Sequence, residues 1–362
     1  MKSDPVLKFI VLVLVLAGFF ILASASIGLT TRKDLPPYYY LLRQVVTGGV
    51  FGFLALALTV RINYRVWKRW ALPIFVLSLI LAGLVFVPGL GLKYGGAWRW
   101  LAVGPVSFQP SEFLKFGLLL YLSALLSSRR GEVASFGTGF MPFITVTALA
   151  GLILIIQPDV GTLGVMVFSV LLLFLVAGGH WKHFLIVVLL GLILLGGLVY
   201  FEPYRLERVR VFFNPTYDPQ GAGYQIRQAV IAIGSGGVFG RGLGMSRQKF
   251  QYLPEPIGDS IFAVAAEEFG FVGSTALLFL FLAFAWRGFK ISAAAPDSFG
   301  RLLGAGIVIL ITVQSLVNIT ALTGLVPLTG IPLTFISQGG SALAVTLAQV
   351  GILLNISRYR NL

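Results

Sequence analysis

The sequence predicts an all-α polytopic membrane protein of about ten transmembrane helices, with a large extracellular loop between helices 7 and 8. Composition, run length and charge placement each point there. The 362 residues are 57% hydrophobic and only 11% charged, where a soluble domain carries about 25% charged residues. The apolar residues gather into runs of about twenty, the length a helix needs to cross a bilayer. Lysine and arginine alternate between rich and poor connections, the pattern that orients membrane helices. No repeat with a period of roughly 20–50 residues is visible, so residues 1–362 read as a single integral membrane domain.

The first apolar run covers Val6–Leu29, with Lys2 and Lys8 at its start. Ala23–Ser24–Ala25 resembles a signal-peptidase site. The uncharged stretch from Phe9 to Leu29 is nevertheless far longer than the apolar core of a signal peptide, about 7–15 residues. It is expected to be an uncleaved first span. Further spans are expected near 38–60, 70–88, 110–128, 141–157, 160–177, 182–200, 259–285, 301–325 and 335–356. Gln157–Pro158–Asp159–Val160–Gly161–Thr162 separates the fifth from the sixth, because proline and glycine interrupt an otherwise continuous apolar stretch.

One set of connections holds Lys2, Lys8, Arg61, Arg65, Lys68, Arg69, Arg129, Arg130, Lys182, Arg287, Lys290, Arg301, Arg358 and Arg360. The opposite short connections hold little beyond Arg32, Lys33, Lys93 and Arg99. Both termini are therefore expected in the cytoplasm, with Asp159, the loop of about 201–258 and Asp259 outside. The net charge of +14 then reflects basic loops lying on a membrane rather than nucleic-acid binding. With no cysteine there is no disulfide, thiolate metal site or cysteine nucleophile. His180 and His183 share one short loop and read as membrane-flanking residues.

The long loop departs from this charge pattern, with Arg205, Arg208, Arg210, Arg227, Arg241, Arg247 and Lys249 against Glu202, Glu207, Asp218 and Glu255. It is either a solvated basic loop balanced by lipid headgroups or an outward site for an anion such as a phosphate held by arginine. Ile226, Ala229, Val230 and Ile233 follow helical spacing, which predicts a short helix lying on the membrane surface. Gly234–Ser235–Gly236–Gly237 ends it and lacks the GK[ST] ending of a nucleotide loop.

Acidic residues are scarce, only 13 in all, yet Asp259, Glu267 and Glu268 fall within ten residues. Carboxylates on a membrane helix are expensive and mark function by default. Asp259 follows Pro254, Pro256 and Gly258 and equally suits the cap of the next helix. Asp259 shares its helical face with Phe262, Ala263, Ala266 and Glu267, whereas Glu268 points the other way. Gln109–Pro110–Ser111–Glu112 opens the fourth span, and Lys115 lies one turn on, either paired with Glu112 or lining a polar cavity. Asp159 caps the sixth span or faces the same cavity. Gly324–Ser341, which contains Ser337, combines glycines and prolines at membrane depth. Irregular backbone there requires shelter from protein or a water-filled cavity.

Read together, Trp98–Arg99–Trp100, Phe108–Gln109–Pro110–Ser111–Glu112 with Lys115, Gln157–Thr162, and Pro203–Tyr204–Arg205 with Arg208 resemble the FtsW/RodA, or SEDS, family. Asp218–Pro219–Gln220–Gly221 with Tyr224–Gln225, Ala232–Gly237, Leu253–Pro254–Glu255, Asp259, Ile261–Phe262–Ala263, Glu267–Glu268 and Gly324–Ser341 continue the match end to end. Gly242–Leu243–Gly244, Ser246–Lys249 and Tyr252–Glu255 are closer to the FtsW branch. The resemblance implies a ten-helix peptidoglycan glycosyltransferase of the bacterial cytoplasmic membrane. It would polymerise lipid II, the undecaprenyl-diphosphate-linked disaccharide peptide, beside a class B penicillin-binding protein. Asp259 matches the family's catalytic aspartate. Lys115, Glu112, Asp159, Arg205, Arg208, Glu267 and Ser337 form the expected substrate-binding set. No cofactor is firmly implied, although a divalent cation, Mg or Mn, is one way to neutralise the diphosphate. The family commonly places His-Thr before this aspartate and Phe after it, where this chain has Ile257, Gly258 and Ser260. The usual Ser-Tyr-Gly-Gly-Ser-Ser reads Ser337–Gln338–Gly339–Gly340–Ser341–Ala342. Two other functions compete: a lipid II flippase, which calls for charges near the bilayer midplane, and a non-catalytic scaffold for cell-wall machinery.

Overall fold

A computed structural model describes residues 3–359 apart from 37, 95, 96, 105, 202, 215, 216, 219, 222 and 251. Helix α1 (Pro5–Arg32) starts at Asp4, whose side chain accepts from Leu7 N. The second span runs from α2 (Tyr39–Gln44) through a π-helical turn (Val45–Val50) into α3 (Phe51–Arg61). Helix α4 (Tyr64–Gly83) is capped by Asn63, and α5 (Pro110–Ser128) carries proline in its first turn. Helices α6 (Met141–Ile156), α7 (Val160–Val176), α8 (Trp181–Phe201), α9 (Pro203–Phe213) and α10 (Tyr224–Ser235) follow. The bundle closes with α11 (Ile261–Ala293), α12 (Ser298–Leu322) and α13 (Gly340–Ile356).

Seven helical segments among the described residues are long and apolar enough to cross a membrane, and three shorter apolar helices, Val160–Val176, Trp181–Leu194 and Gly340–Ile356, accompany them. Together they fall on the ten spans expected from the sequence. Several boundaries shift, among them the end of α11, which reaches Ala293 rather than stopping near 285. The third span begins at Tyr64 rather than near 70, because Asn63 supplies a cap ahead of the basic turn. The last begins at Gly340, because Ile331–Gly339 stays irregular. One element is new. Gly91–Tyr94 (β1), Ala97–Val103 (β2) and Val106–Phe108 (β3) form an antiparallel sheet in the order β1-β2-β3. Strands of three to seven residues, with Arg99 the one polar residue of β2, are too brief to stand out beside twenty-residue apolar runs.

Helix α12 lies at the centre, with 83% of its most apolar window buried. It packs against α5, α7, α11 and α13 and joins the two apolar clusters, one built largely on α1, α11, α12 and α13 and the other on α4–α7. A helix apolar on every side belongs in such a position.

Helix α11 is broken. Gly270 has φ 65° and ψ −162°, a conformation essentially reserved for glycine. The groups freed by the break pair with the chain that follows α10. Arg241 N and Gly242 N donate to Glu267 O and Glu268 O, while Phe271 N and Val272 N donate to Gly237 O and Val238 O. The shaft after the break, 271–293, is about 34 Å long at about 1.5 Å per residue and crosses the ~30 Å hydrocarbon core by itself. The stretch before the break, which carries Glu267 and Glu268, is therefore not needed to complete that crossing. The expected surface helix is α10. Its buried Ala229 and Ala232 lead to Gly236, where a Cβ would meet Ala266 O at 2.1 Å. These small residues let α10 lie directly on the first part of α11.

Candidate active site

Asp259 occupies the turn that feeds α11. Gly258 N and Ser260 N both donate to Glu255 O, which folds Glu255–Ser260 back on itself. Helix α11 starts at Ile261 with Ser260 at its N-cap and no side-chain cap, so the Asp259 carboxylate does not serve as the cap. Its two oxygens instead accept from Gln225 Nε2 on α10, at 3.2 and 3.3 Å. Ser260 Oγ stands 3.4 Å from one of them and accepts from Gln225 at 3.1 Å. Burial pushes the Asp259 carboxyl up to about 6. The Gln225 hydrogen bond opposes the rise, Glu255 adds to it, and Arg208 and Ser260 pull it down.

A wall of irregular chain faces this turn. Asn318 Nδ2 on α12 donates to both Asp259 O and Ile331 O, each at 2.7 Å. Arg208 Nη1 on α9 donates to Leu328 O at 3.1 Å. A Cβ on Gly330 would lie 3.7 Å from Asp259 Oδ2, so the wall approaches the carboxylate with bare backbone. Ser337 Oγ donates to Gly258 O at 2.7 Å and accepts from Leu333 N at 2.8 Å. Gln338 N donates to Ile257 O, and Gln44 on α2 accepts from Gly339 N. Ser337 thus joins the wall to the turn before Asp259.

The other expected residues divide by distance from this centre. Lys115 donates to Glu112 at 2.8 Å, with both side chains buried, and also to Gln314. Gln314 Nε2 donates to Pro332 O, so the pair reaches the wall through α12. Beside the pair is a polar cavity of about 10 Å³, lined in part by Gln314, Thr334 and Gln349. Asp159 caps α7 by accepting from Thr162 N. Gly161 in that first turn abuts Thr329 O, where a Cβ would stand at 2.4 Å. Glu267 faces the opposite way, accepting from Ser246 Oγ, Arg247 N and Gln248 N and pairing with Arg241 at 3.6 Å. Glu268 holds fully buried Lys249 at 2.7 Å, with Ser24 of α1 bonded to both. The Arg205 side chain lies outside the described residues.

Gln225, Gln314 and Asn318 complete the arrangement, and none stands out in the sequence as a functional residue. Gln314 and Asn318 are four apart in an apolar helix, a spacing that puts two amides on one face. Gln225 falls in the Tyr224–Gln225 block of the family resemblance, but its spacing points to no role, since a glutamine on a surface helix is ordinary.

Fold and site define a polytopic helical membrane protein with a half-buried carboxylate at one end of its bundle, enclosed by a surface helix and an irregular wall. The family model for the FtsW, RodA and SpoVE cell cycle proteins matches residues 5–362. The chain is 42% identical over 358 residues to stage V sporulation protein E of Bacillus subtilis, covering 99% of this chain and 98% of that one. It is 39% identical over 356 residues to a probable peptidoglycan glycosyltransferase FtsW of Geobacter sulfurreducens, covering 98% and 95%. Among solved structures, a chain of a peptidoglycan synthase complex superposes with TM-score 0.80 at 31% identity, covering 99% of each. The rod shape determining protein RodA of Thermus thermophilus superposes with TM-score 0.72 at 31% identity, covering 100% of this chain and 99% of that one. The protein belongs to the FtsW/RodA/SpoVE family.

Proposed function

We propose that the protein is a peptidoglycan glycosyltransferase that polymerises lipid II at the outer face of the bacterial cytoplasmic membrane, with Asp259 as general base. The observation that carries this is the state of that carboxylate. It is half-buried and hydrogen-bonded by a neutral amide and a hydroxyl, and it forms no ion pair among the described residues. A carboxyl near 6 is a stronger base than an ordinary one and still mostly ionised at neutral pH. In the reaction a sugar 4-hydroxyl oxygen bonds to the anomeric carbon of a second lipid-linked unit while the anomeric carbon–phosphate oxygen bond breaks. Asp259 takes the hydroxyl proton, and the polyprenyl diphosphate leaves with the electron pair.

Arg208, anchored on the wall beside Asp259, is assigned to the diphosphate charge. No group of three or more His, Asp or Glu side chains among the described residues is placed to hold a metal ion. The distribution of basic connections supports a cytoplasmic location for both termini and an outer one for Asp259. A class B penicillin-binding protein is the expected partner, in keeping with the synthase complex that the chain superposes on. A flippase fits less well, because Glu267 and Glu268, the acids a coupled transporter would use, are tied to the 241–249 segment.

The test is lipid II polymerisation by the purified protein with its partner. Asp259→Asn keeps side-chain size and an acceptor for Gln225 but removes the base. Folded yield and lipid II binding should stay near normal, and polymerisation should fall roughly 10²–10⁴-fold. In the unaltered protein, activity should fall as pH drops through about 6, where Asp259 becomes protonated. Robust polymer from the Asn variant would remove Asp259 as the base. Transport in sealed vesicles with no polymer from either protein would establish the flippase instead.

A further inference from the structure

We propose that Gln225, with Ser260 beside it, is the positioning residue of the site: it fixes the orientation of the Asp259 carboxylate and keeps it ionised. This rests on Asp259 being the general base. A primary amide has two N–H donors and no charge. Gln225 Nε2 lies 3.2 and 3.3 Å from the two Asp259 oxygens, so rotation of the carboxylate about its last bond costs a hydrogen bond. Donors to the charged form of a carboxyl favour that form. An arginine in the same place would hold the proton affinity too low for a base, and an aliphatic side chain would leave burial unopposed.

The amide is itself held in place. Helix α10 is seated on α11 through Ala229, Ala232 and Gly236, which sets the height at which Gln225 meets the turn. Ser260 stands where the family commonly has phenylalanine, and its hydroxyl accepts from Gln225 at 3.1 Å while standing 3.4 Å from the carboxylate. A three-membered contact therefore replaces an aromatic ring beside the base. The charged groups acting on Asp259 are Glu255 of its own turn and Arg208 of α9. Helices α10 and α12 and the irregular wall present it with neutral groups, namely Gln225, Asn318 and Gly330.

The experiment is the pH dependence of lipid II polymerisation across about pH 5–9 for the unaltered protein, Gln225→Met and Gln225→Glu, each purified with the transpeptidase partner. Gln225→Met removes the donor, and the midpoint of the acidic limb should move up by roughly one unit, with activity recovering at alkaline pH. Gln225→Glu keeps the shape and sets a second carboxylate against the first, so its midpoint should move further in the same direction. It also carries the test if the Met variant folds poorly. An unmoved midpoint in both variants, or a loss equal at every pH, overturns the proposal. Asp259→Asn measured alongside separates the two levels. An inactive Asn variant beside unmoved Gln225 midpoints removes only the positioning role. An active Asn variant removes the base, and the positioning role with it.

Discussion

Lys115 is 3% exposed, and its ammonium is held by Glu112 and Gln314. Removing one partner from a buried ion pair leaves the other charge uncompensated, which costs about 3–5 kcal/mol. Lys115→Met should therefore lower folded yield and the detergent-solubilised Tm, and adding Glu112→Gln should partly restore both. If Lys115 instead acts on substrate, the single variant would keep its yield and lose polymerisation, and the double variant would rescue neither. At this scale the sequence is legible where partners are close along the chain. The i,i+3 spacing of Glu112 and Lys115 shows in the text of the chain, as does the proline-rich approach to Asp259. The contacts between Asp259 and Gln225, and between Asn318 and Ile331, are not visible there. They depend on how α10 and the final connection fold back, and no local periodicity encodes that.

Helix α11 is where sequence reading of an element falls short. An apolar run of this length reads as a continuous helix even with Gly270, Gly273 and Gly288 inside it, and Gly270 is one of 43 glycines. What breaks the helix is a partner thirty residues earlier: a Cβ on Gly270 would stand 2.2 Å from Gly240 N. Both the positive φ and the close backbone exclude a side chain. Gly270→Ala should lower the Tm of the solubilised protein sharply, by roughly 2 kcal/mol or more of stability. Gly83→Ala, in helical backbone with nothing within 4 Å, should leave it nearly unchanged. Equal Tm values for the two variants would mean that the break bears no load. Glu267 and Glu268 take their meaning from this break, since their carboxylates hold the same 241–249 segment whose amides cap their carbonyls.

Across the whole molecule the membrane spans were readable because burial in lipid demands long uninterrupted apolar helices. The small sheet was not, since short strands carry little hydropathy signal. Orientation is open to direct measurement because the chain has no cysteine. Single cysteines at the exposed positions Gln220 and Ser128 should behave oppositely toward an impermeant thiol reagent applied to whole cells without their outer barrier. Gln220→Cys should react and Ser128→Cys should not. The reverse pattern would invert the topology and place Asp259 in the cytoplasm.

The central place of α12 also has a consequence for biosynthesis. The helix that both apolar clusters share is made only after α1–α11. At about 5–20 residues per second, α5 waits on the order of tens of seconds in the bilayer before α12 arrives. During that interval Lys115 has Glu112 but lacks Gln314, and the faces of α5 and α7 that will meet α12 are still open to lipid. A nascent chain stalled before residue 322 is therefore a set of inserted helices with no keystone, exposed to membrane proteases until α12 is made.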